Sequence, residues 1–308
     1  VSSPFGPLVL IANPKAGRGK VGKMLPEVEK LLRAERLAYR VVHTRGPGHA
    51  TEAAREALAG DERFVVAAGG DGTVHEVVNG LMDQDRPVAE GAVLGVVACG
   101  SGCDFVRTFD LPGDAVKASV HLSGDATRPI DIGKATWVRP DGSSITRYFP
   151  NIAEVGLGAA TVARASTLPR SLGPSQYFFA FWMTLPGFKP GNVVIDADGN
   201  RFESRAHQVV VANARYYGGG MQISPKSATE DGLLDVLVFV GPKSDAFTIL
   251  PKVYKGSHLP HRNIVELKAR RVRVRTEGPS PIEADGEVLG SSTDVTFEAV
   301  PTPLLLKV

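Results

Sequence analysis

Apolar runs of strand length recur along the first third of the chain, at Leu8–Ala12, Tyr39–His43, Phe64–Ala68 and Val93–Ala98. Between them, apolar residues fall at helical spacing: Met24, Leu25, Val28, Leu31 and Leu32, then Ala50, Ala53, Ala54, Ala57 and Leu58. Strands alternating with helices predict a parallel sheet covered on both faces, and hence an α/β domain over residues 1–128. Beyond residue 128 the pattern changes to short β-rich runs such as IDIGKATWV, NVVIDA, QVVVANA and LLDVLVFV, separated by Gly, Pro, Asn and Asp. These runs predict a second domain over residues 129–296, a β-sandwich or barrel interrupted by helices at Gly156–Leu168 and Ser175–Leu185.

Composition narrows the classes. With 308 residues, 43% hydrophobic and 22% charged, the chain can fill two cores, and a net charge of +2 is too small for a nucleic-acid partner. Cys99 and Cys103 fit neither a redox nor a zinc spacing, so free thiols in a reducing cytoplasm are expected. The opening VSSPFGPLVLIAN has no signal-peptide pattern and no apolar span is long enough for a membrane helix, so neither secretion nor insertion is expected.

Candidate chemistry gathers where strands end. Gly17, Gly19 and Gly22 satisfy G-x-G-x-x-G, but the second strand ends at His43-Thr44 without an acid for a ribose, which disfavours a dinucleotide enzyme. The same turn satisfies G-x-x-x-x-G-K, yet Met24 follows where a P-loop needs a hydroxyl for Mg²⁺. What survives is a strand running into Asn13-Pro14-Lys15-Ala16-Gly17 and then a helix, a turn suited to an anion. In Gly69-Gly70-Asp71-Gly72-Thr73 the glycines admit a ligand to the backbone, and Thr73 or Asp71 can cap the following helix. A carboxylate beside phosphates calls for an intervening Mg²⁺ or water, and Glu76 suits either a capping box or a ribose hydroxyl. A third turn, Gly100-Ser101-Gly102-Cys103-Asp104, follows the fourth strand at the same sheet edge, where open α/β sheets bind ligands.

These turns, with Phe105 closing the third and Asp285-Gly286-Glu287 late in the chain, resemble in order and spacing the diacylglycerol kinase catalytic-domain family, which includes bacterial soluble lipid kinases and sphingosine kinases. The resemblance implies a nucleotide-binding α/β domain, a β-sandwich lipid domain, an active site in the cleft between them, and a final segment near 297–308 that returns to the first domain. It implies that Asn13, Pro14, Lys15, Ala16 and Gly17, together with Gly69, Gly70, Asp71, Gly72, Thr73, Val74 and His75, line the phosphates of ATP. Thr44 and Ser101 also contact the nucleotide. Asp71, Asp131 and Asp285 would hold Mg²⁺ directly or through water, and Glu287 would accept the proton, with Asp285 competing for that role. A second, structural Mg²⁺ is implied on Asp231 with the carbonyls of Ala228 and Leu233.

The implied reaction is transfer of a phosphoryl group from ATP to a lipid hydroxyl, diacylglycerol foremost, by a cytoplasmic protein in peripheral contact with the membrane. A homodimer is left open. The third turn departs from the family's Gly-Thr-Gly-Asn-Asp-Phe: Ser101 keeps a hydroxyl, whereas Cys103 loses an amide. That loss keeps a non-catalytic binding regulator in view, and the shared Gly-Gly-Asp-Gly-Thr keeps a NAD kinase in view. SQYFFAFWMTLPGF reads as a buried core helix or as the border of an acyl-chain pocket, and Arg271, Arg273 and Arg275 read as a solvated face or as an attraction for anionic headgroups. His43, His49 and His258 lack metal spacing and are expected to satisfy local hydrogen bonds.

Overall fold

A computed structural model describes residues 3–99, 103–139, 141–169, 172–173 and 175–308. The chain divides into two compact units, Val1–Asp131 with Val300–Val308, and Ile132–Ala299.

The first unit runs β1 (Leu8–Ala12), α1 (Ala16–Ala34), β2 (Tyr39–His43), α2 (His49–Ala59), β3 (Phe64–Gly69) and α3 (Asp71–Leu81). A small hairpin of β4 (Met82–Asp83) and β5 (Arg86–Pro87) follows, then β6 (Val93–Ala98), α4 (Asp104–Thr108) and α5 (Ala115–Val120). Its parallel sheet has the order β6-β3-β1-β2. Every residue of β1, β3 and β6 is buried, as strands covered on both faces must be. Helix α1 buries Val21, Leu25, Val28 and Leu32 along one stripe. The alanines of α2 let it approach α3 closely: a Cβ on Gly80 would overlap the Thr51 carbonyl oxygen and lie 2.7 Å from the Ala54 Cβ.

Strand β7 (Thr127–Val138) leads into the second unit, followed by β8 (Ser144–Phe149), β9 (Ile152–Gly156), α6 (Leu157–Ser166), α7 (Ser175–Thr184), β10 (Gly191–Ala197), β11 (Asn200–Ala206) and β12 (Gln208–Ala212). Then come β13 (Leu234–Phe239), α8 (Ala246–Val253), β14 (Ile264–Ala269), β15 (Arg271–Ala284) and β16 (Glu287–Lys307). The antiparallel order is β14-β13-β12-β9-β15-β16, with hairpins β10/β11 on β15 and β7/β8 on β16. Alternation along the strands builds two cores. Val209, Val211, Val236 and Val238 face the larger one around Phe149 and Phe297, while Val210, Ala212 and Leu237 face Ile249 and Val253 of α8. The far end of β16 returns to the first unit, pairing Leu305 and Leu306 in parallel with Val93 and Leu94 of β6.

Two features differ from the sequence pattern. Helix α7 is not a core helix, since Ala180 is its only fully buried residue. Helix α8 is short and carries Pro251, but it buries Ile249 and Val253 one turn apart on a single face.

Candidate active site

The parallel strands of the first unit deliver their C-terminal ends side by side, and backbone bonds stitch those ends together. Asn13 N donates to Ala68 O (3.0 Å), Thr44 N to Ala12 O (2.8 Å), and Cys99 N to Gly69 O (2.9 Å). The turns after β1, β2, β3 and β6 therefore share one edge of the sheet. In the first turn Asn13 folds back, its Oδ1 accepting from Lys15 N (3.2 Å) and its carbonyl from Ala16 N (3.0 Å). Gly17, Arg18 and Gly19 then stand at φ 58°, 60° and 82°, so the regular turns of α1 begin only after them. A Cβ on Gly17 would overlap the Cys99 carbonyl oxygen, which explains glycine where the first turn meets the end of β6. Lys15, Arg18, Lys20 and Lys23 are exposed here, with no acid among residues 15–23, and this favours an anion.

In the second turn a Cβ on Gly69 would overlap the Thr73 hydroxyl. Gly70 is the N-cap of α3 and no side chain caps that helix, so the expected cap from Thr73 or Asp71 is not formed. Asp71 reaches across instead, and its Oδ1 accepts from Phe105 N (3.0 Å) in the first turn of α4. The carboxylate thereby ties the second turn to the third. Glu76 forms no capping box; its Oε2 accepts from Ala50 N (3.0 Å) at the start of α2, and its carbonyl accepts from the Thr51 hydroxyl (2.8 Å). Gly72 is exposed, whereas the side chains of Thr73, Val74 and His75 are buried, so a ligand at this turn would meet Gly70 and Gly72 before them.

Ser101, with Gly100 and Gly102, lies outside the described residues. Cys103 is half-buried at φ 54° and ψ 38°, the left-handed N-cap of α4. Asn tolerates that conformation better than Cys does, which gives the family's Asn a backbone reason. His49 pairs with Arg45, and the His258 ring bonds to the Ile223 carbonyl, so these histidines do satisfy local bonds.

Of the remaining acids, Asp131 is buried on β7, where its Oδ1 accepts from Thr302 N (2.7 Å) of the returning β16. Asp285 and Gly286 are the two central residues of the β15/β16 hairpin, at φ 51° and 84°, as a type I′ turn requires. Asp285 Oδ1 accepts from Asn151 N and Ile152 N (both 3.1 Å), while Glu287 leaves the turn exposed at the start of β16. Each of Asp71, Asp131 and Asp285 is thus anchored by a backbone amide. No three His, Cys, Asp or Glu side chains form a metal cluster among the described residues. Each of the three, taken singly, is a hard oxygen donor of the kind that Mg²⁺ takes.

On the loop where a structural Mg²⁺ is expected, Asp231 Oδ1 accepts from Leu233 N (3.0 Å), and Lys268 Nζ stands 2.7 Å from Oδ2 and 3.7 Å from Asp235. The exposed Lys268 ammonium supplies positive charge there. Ala228 is exposed and Leu233 half-buried on the same loop. The basic face of β15 is partly paired: Arg273 bonds Asp294 (2.9 Å), and Arg271 lies 3.7 Å from Glu298, which Lys134 approaches to 2.8 Å.

Sequence reasoning missed a buried acid pair. Glu154 of β9 and Glu283 of β15 are register partners, and both are buried. Burial pushes Glu154 up to about 7, against bonds from Gln208, Tyr217 and Glu283 that favour its ionised form. Glu283 is raised well above the usual carboxylate range by burial and then by the charge of Glu154. Burial thus disfavours ionising both acids at once, and the folded pair keeps protons that the unfolded chain gives up at lower pH. Glu283 Oε2 accepts from Gly286 N (2.8 Å), linking the pair to the turn that carries Glu287, and Gly158 leaves room for the Glu154 carboxyl. Single acids inside the apolar runs NIAEVG and SPIEADG were the available signal. Beside Gln208 and Tyr217 lies a small, mainly apolar cleft lined by Phe181, Leu185, Ile249 and Leu250 among others.

Two family models together span most of the chain. Residues 7–135 match the diacylglycerol kinase catalytic domain, and residues 151–308 match the YegS C-terminal NAD kinase beta sandwich-like domain. A diacylglycerol kinase of Bacillus subtilis (strain 168) is 32% identical over 286 residues, covering 91% of this chain and 89% of the relative. A crystal structure of a diacylglycerol kinase from Bacillus anthracis str. Sterne superposes with a TM-score of 0.74 at 26% identity, covering 99% of this chain and 97% of that one. Yeast NADH kinase complexed with NADH shares the fold more distantly, with a TM-score of 0.50 at 13% identity over 97% of this chain and 82% of that one. With both of its domains matched in order and a relative this similar along nearly its whole length, the chain belongs to the diacylglycerol kinase family.

Proposed function

We propose that the protein transfers the γ-phosphoryl group of ATP to the hydroxyl of a lipid, diacylglycerol first among the candidates. The observation that carries this reading is the row of glycine turns joined at one sheet edge, where Asn13–Gly17 and Gly69–Gly72 offer backbone amides and Lys15 and Arg18 offer charge to an anionic donor. Phosphoryl transfer asks chiefly for positioning and charge neutralisation. Asp71, Asp131 and Asp285 would each offer a carboxylate oxygen to Mg²⁺, directly or through water, and the metal bound with ATP would offset phosphate charge. Glu287 is the base: it is exposed at a rigid turn, whereas Asp285 is committed to two backbone amides. The first unit thus binds the donor, and the second contributes the base and an apolar cleft suited to an acyl chain.

The test incubates the protein with γ-labelled ATP, Mg²⁺ and bacterial lipid extract in detergent micelles, beside Glu287→Gln and Asp285→Asn. Label should enter an organic-extractable product, and Glu287→Gln should lose roughly a hundredfold to ten-thousandfold in rate. Label entering NAD instead would make the protein a NAD kinase. Binding of ATP without any labelled acceptor would make it a regulator.

A further inference from the structure

The aromatic side chains left exposed among the described residues are concentrated on one surface of the second unit. Phe178 (49% exposed), Phe179 (47%) and Tyr177 lie on α7, as does Met183 (54%); Phe247 (67%) lies on α8 and Tyr254 (51%) just after it. The two helices join through these rings, for the Trp182 and Phe247 centroids are 4.7 Å apart and Phe178 packs on Trp182 at 6.2 Å. Lys243 at the entry to α8 donates to the Pro186 carbonyl after α7 (2.7 Å). A contiguous apolar patch of this kind marks an interaction site.

Charge says what covers it. Residues 175–190 and 246–265 contain Lys189, Lys252, Lys255 and Arg262 and no Asp or Glu, and the acids that flank them, Asp245 and Glu266, accept from Asn263 and Lys226. Aromatic rings flanked by uncompensated cations match the interfacial region of an anionic bilayer, where rings sit at headgroup depth and lysines meet phosphates. A second copy is a poorer match, because a two-fold axis would set these cations against their own equivalents. On β15, the other cationic candidate, Arg273 is paired with Asp294 and Arg271 lies near Glu298, and no exposed aromatic ring among the described residues accompanies them. The patch is also continuous with the apolar cleft, whose lining includes Phe181 and Leu185 of α7 and Leu250 of α8.

We propose that the outer face of α7 and α8 docks the protein on anionic lipid bilayers, with Phe178, Phe179, Met183 and Phe247 entering the interface and Lys252 and Lys255 meeting headgroups. The identity of the surface as lipid rests on the lipid-kinase reading. The full chain is sedimented with phosphatidylcholine vesicles with and without phosphatidylglycerol. Binding should require the anionic lipid, weaken with salt, and shift Trp182 emission to the blue. Phe178→Ser with Phe247→Ser should lower vesicle affinity by about tenfold or more, as should Lys252→Glu with Lys255→Glu, while Arg271→Glu with Arg273→Glu binds as the wild type does. Short-chain diacylglycerol dispersed in micelles separates docking from catalysis: the Phe178→Ser, Phe247→Ser protein should phosphorylate it at the wild-type rate. Patch-dependent vesicle binding without phosphorylation of any lipid would retain the docking face and overturn the kinase reading. Absence of vesicle binding, binding indifferent to the two phenylalanines, or a concentration-dependent dimer that those substitutions dissociate would overturn the proposal.

Discussion

Replacing Glu154 by Gln removes one of two carboxyls that face each other across the β9/β15 ladder while keeping its size and its acceptor for Gln208. In the unfolded chain both acids ionise near 4.5; in the folded chain Glu154 ionises at about 7, and Glu283 is raised well above its usual range. A carboxyl raised in this way contributes stability that is complete below its unfolded value and lost as pH rises toward the folded one. Each proton the folded chain keeps and the unfolded chain releases costs about 1.4 kcal/mol per pH unit. Between pH 5 and 7 the wild type should lose up to about 1.4 kcal/mol per unit from Glu154 and more from Glu283, and Glu154→Gln should lose less. By pH 7 the variant should have lost about 3 kcal/mol less than the wild type. Both tryptophans, Trp137 and Trp182, belong to the second unit, so their fluorescence during urea unfolding at pH 5, 6, 7 and 8 reports the right part of the molecule. Parallel stability lines for the two proteins, or a variant weaker at pH 8, would refute the shared burial of protons.

Gly69→Ala places a Cβ on the buried Thr73 hydroxyl and should cost about 1–3 kcal/mol and raise the KM for ATP, while Gly72→Ala, which meets nothing within 4 Å, keeps its stability; thermal melts and initial rates decide. Burial, and then Lys307, lowers His121 from 6.5 to about 4. First-unit stability should therefore be complete above pH 6.5 and fall by about 3 kcal/mol on acidification toward 4. Hydrogen exchange within residues 1–131 should show this fall and its loss in His121→Leu, and an unchanged pH dependence in the variant counts against it. Lys268→Met leaves Asp231 without its ammonium, so its melting temperature should become responsive to Mg²⁺, whereas the wild-type midpoint should be indifferent to chelator. A wild-type midpoint lowered by chelator would return a metal to that loop.

The buried runs of β1, β3 and β6 and the alanine spacing of α2 were legible because burial on both faces, or along one stripe, leaves a local periodic trace. The glycine turns were legible because only glycine fits where Thr73 or the Cys99 carbonyl comes close. The partners of the acids were not. Asp71 meets Phe105, Glu76 meets Ala50, and Asp231 meets Lys268 through chain distances that a local pattern does not encode. Glu154 and Glu283 read as ordinary strand acids because nothing local marks them as each other's neighbour. Helix α7 read as core because hydrophobicity predicts a wish for cover, and only the packed structure reveals that its aromatic face is left open.

The return of β16 bears on how the chain is made. A nascent chain that has emerged as far as Asp131 holds most of the first unit's core, yet β6 lacks the strand that pairs at Val93 and Leu94. Asp131 is then still waiting for Thr302, and Ala126 for the Lys307 ammonium. Those partners arrive only after the whole second unit has been synthesised. An N-terminal unit ordinarily folds first on the ribosome; here the first unit must linger with an open apolar edge until residues 300–308 appear, and an open edge strand invites wrong pairing. Premature termination anywhere in the second half of the message would release a first unit without its closing strand, and so an aggregation-prone one.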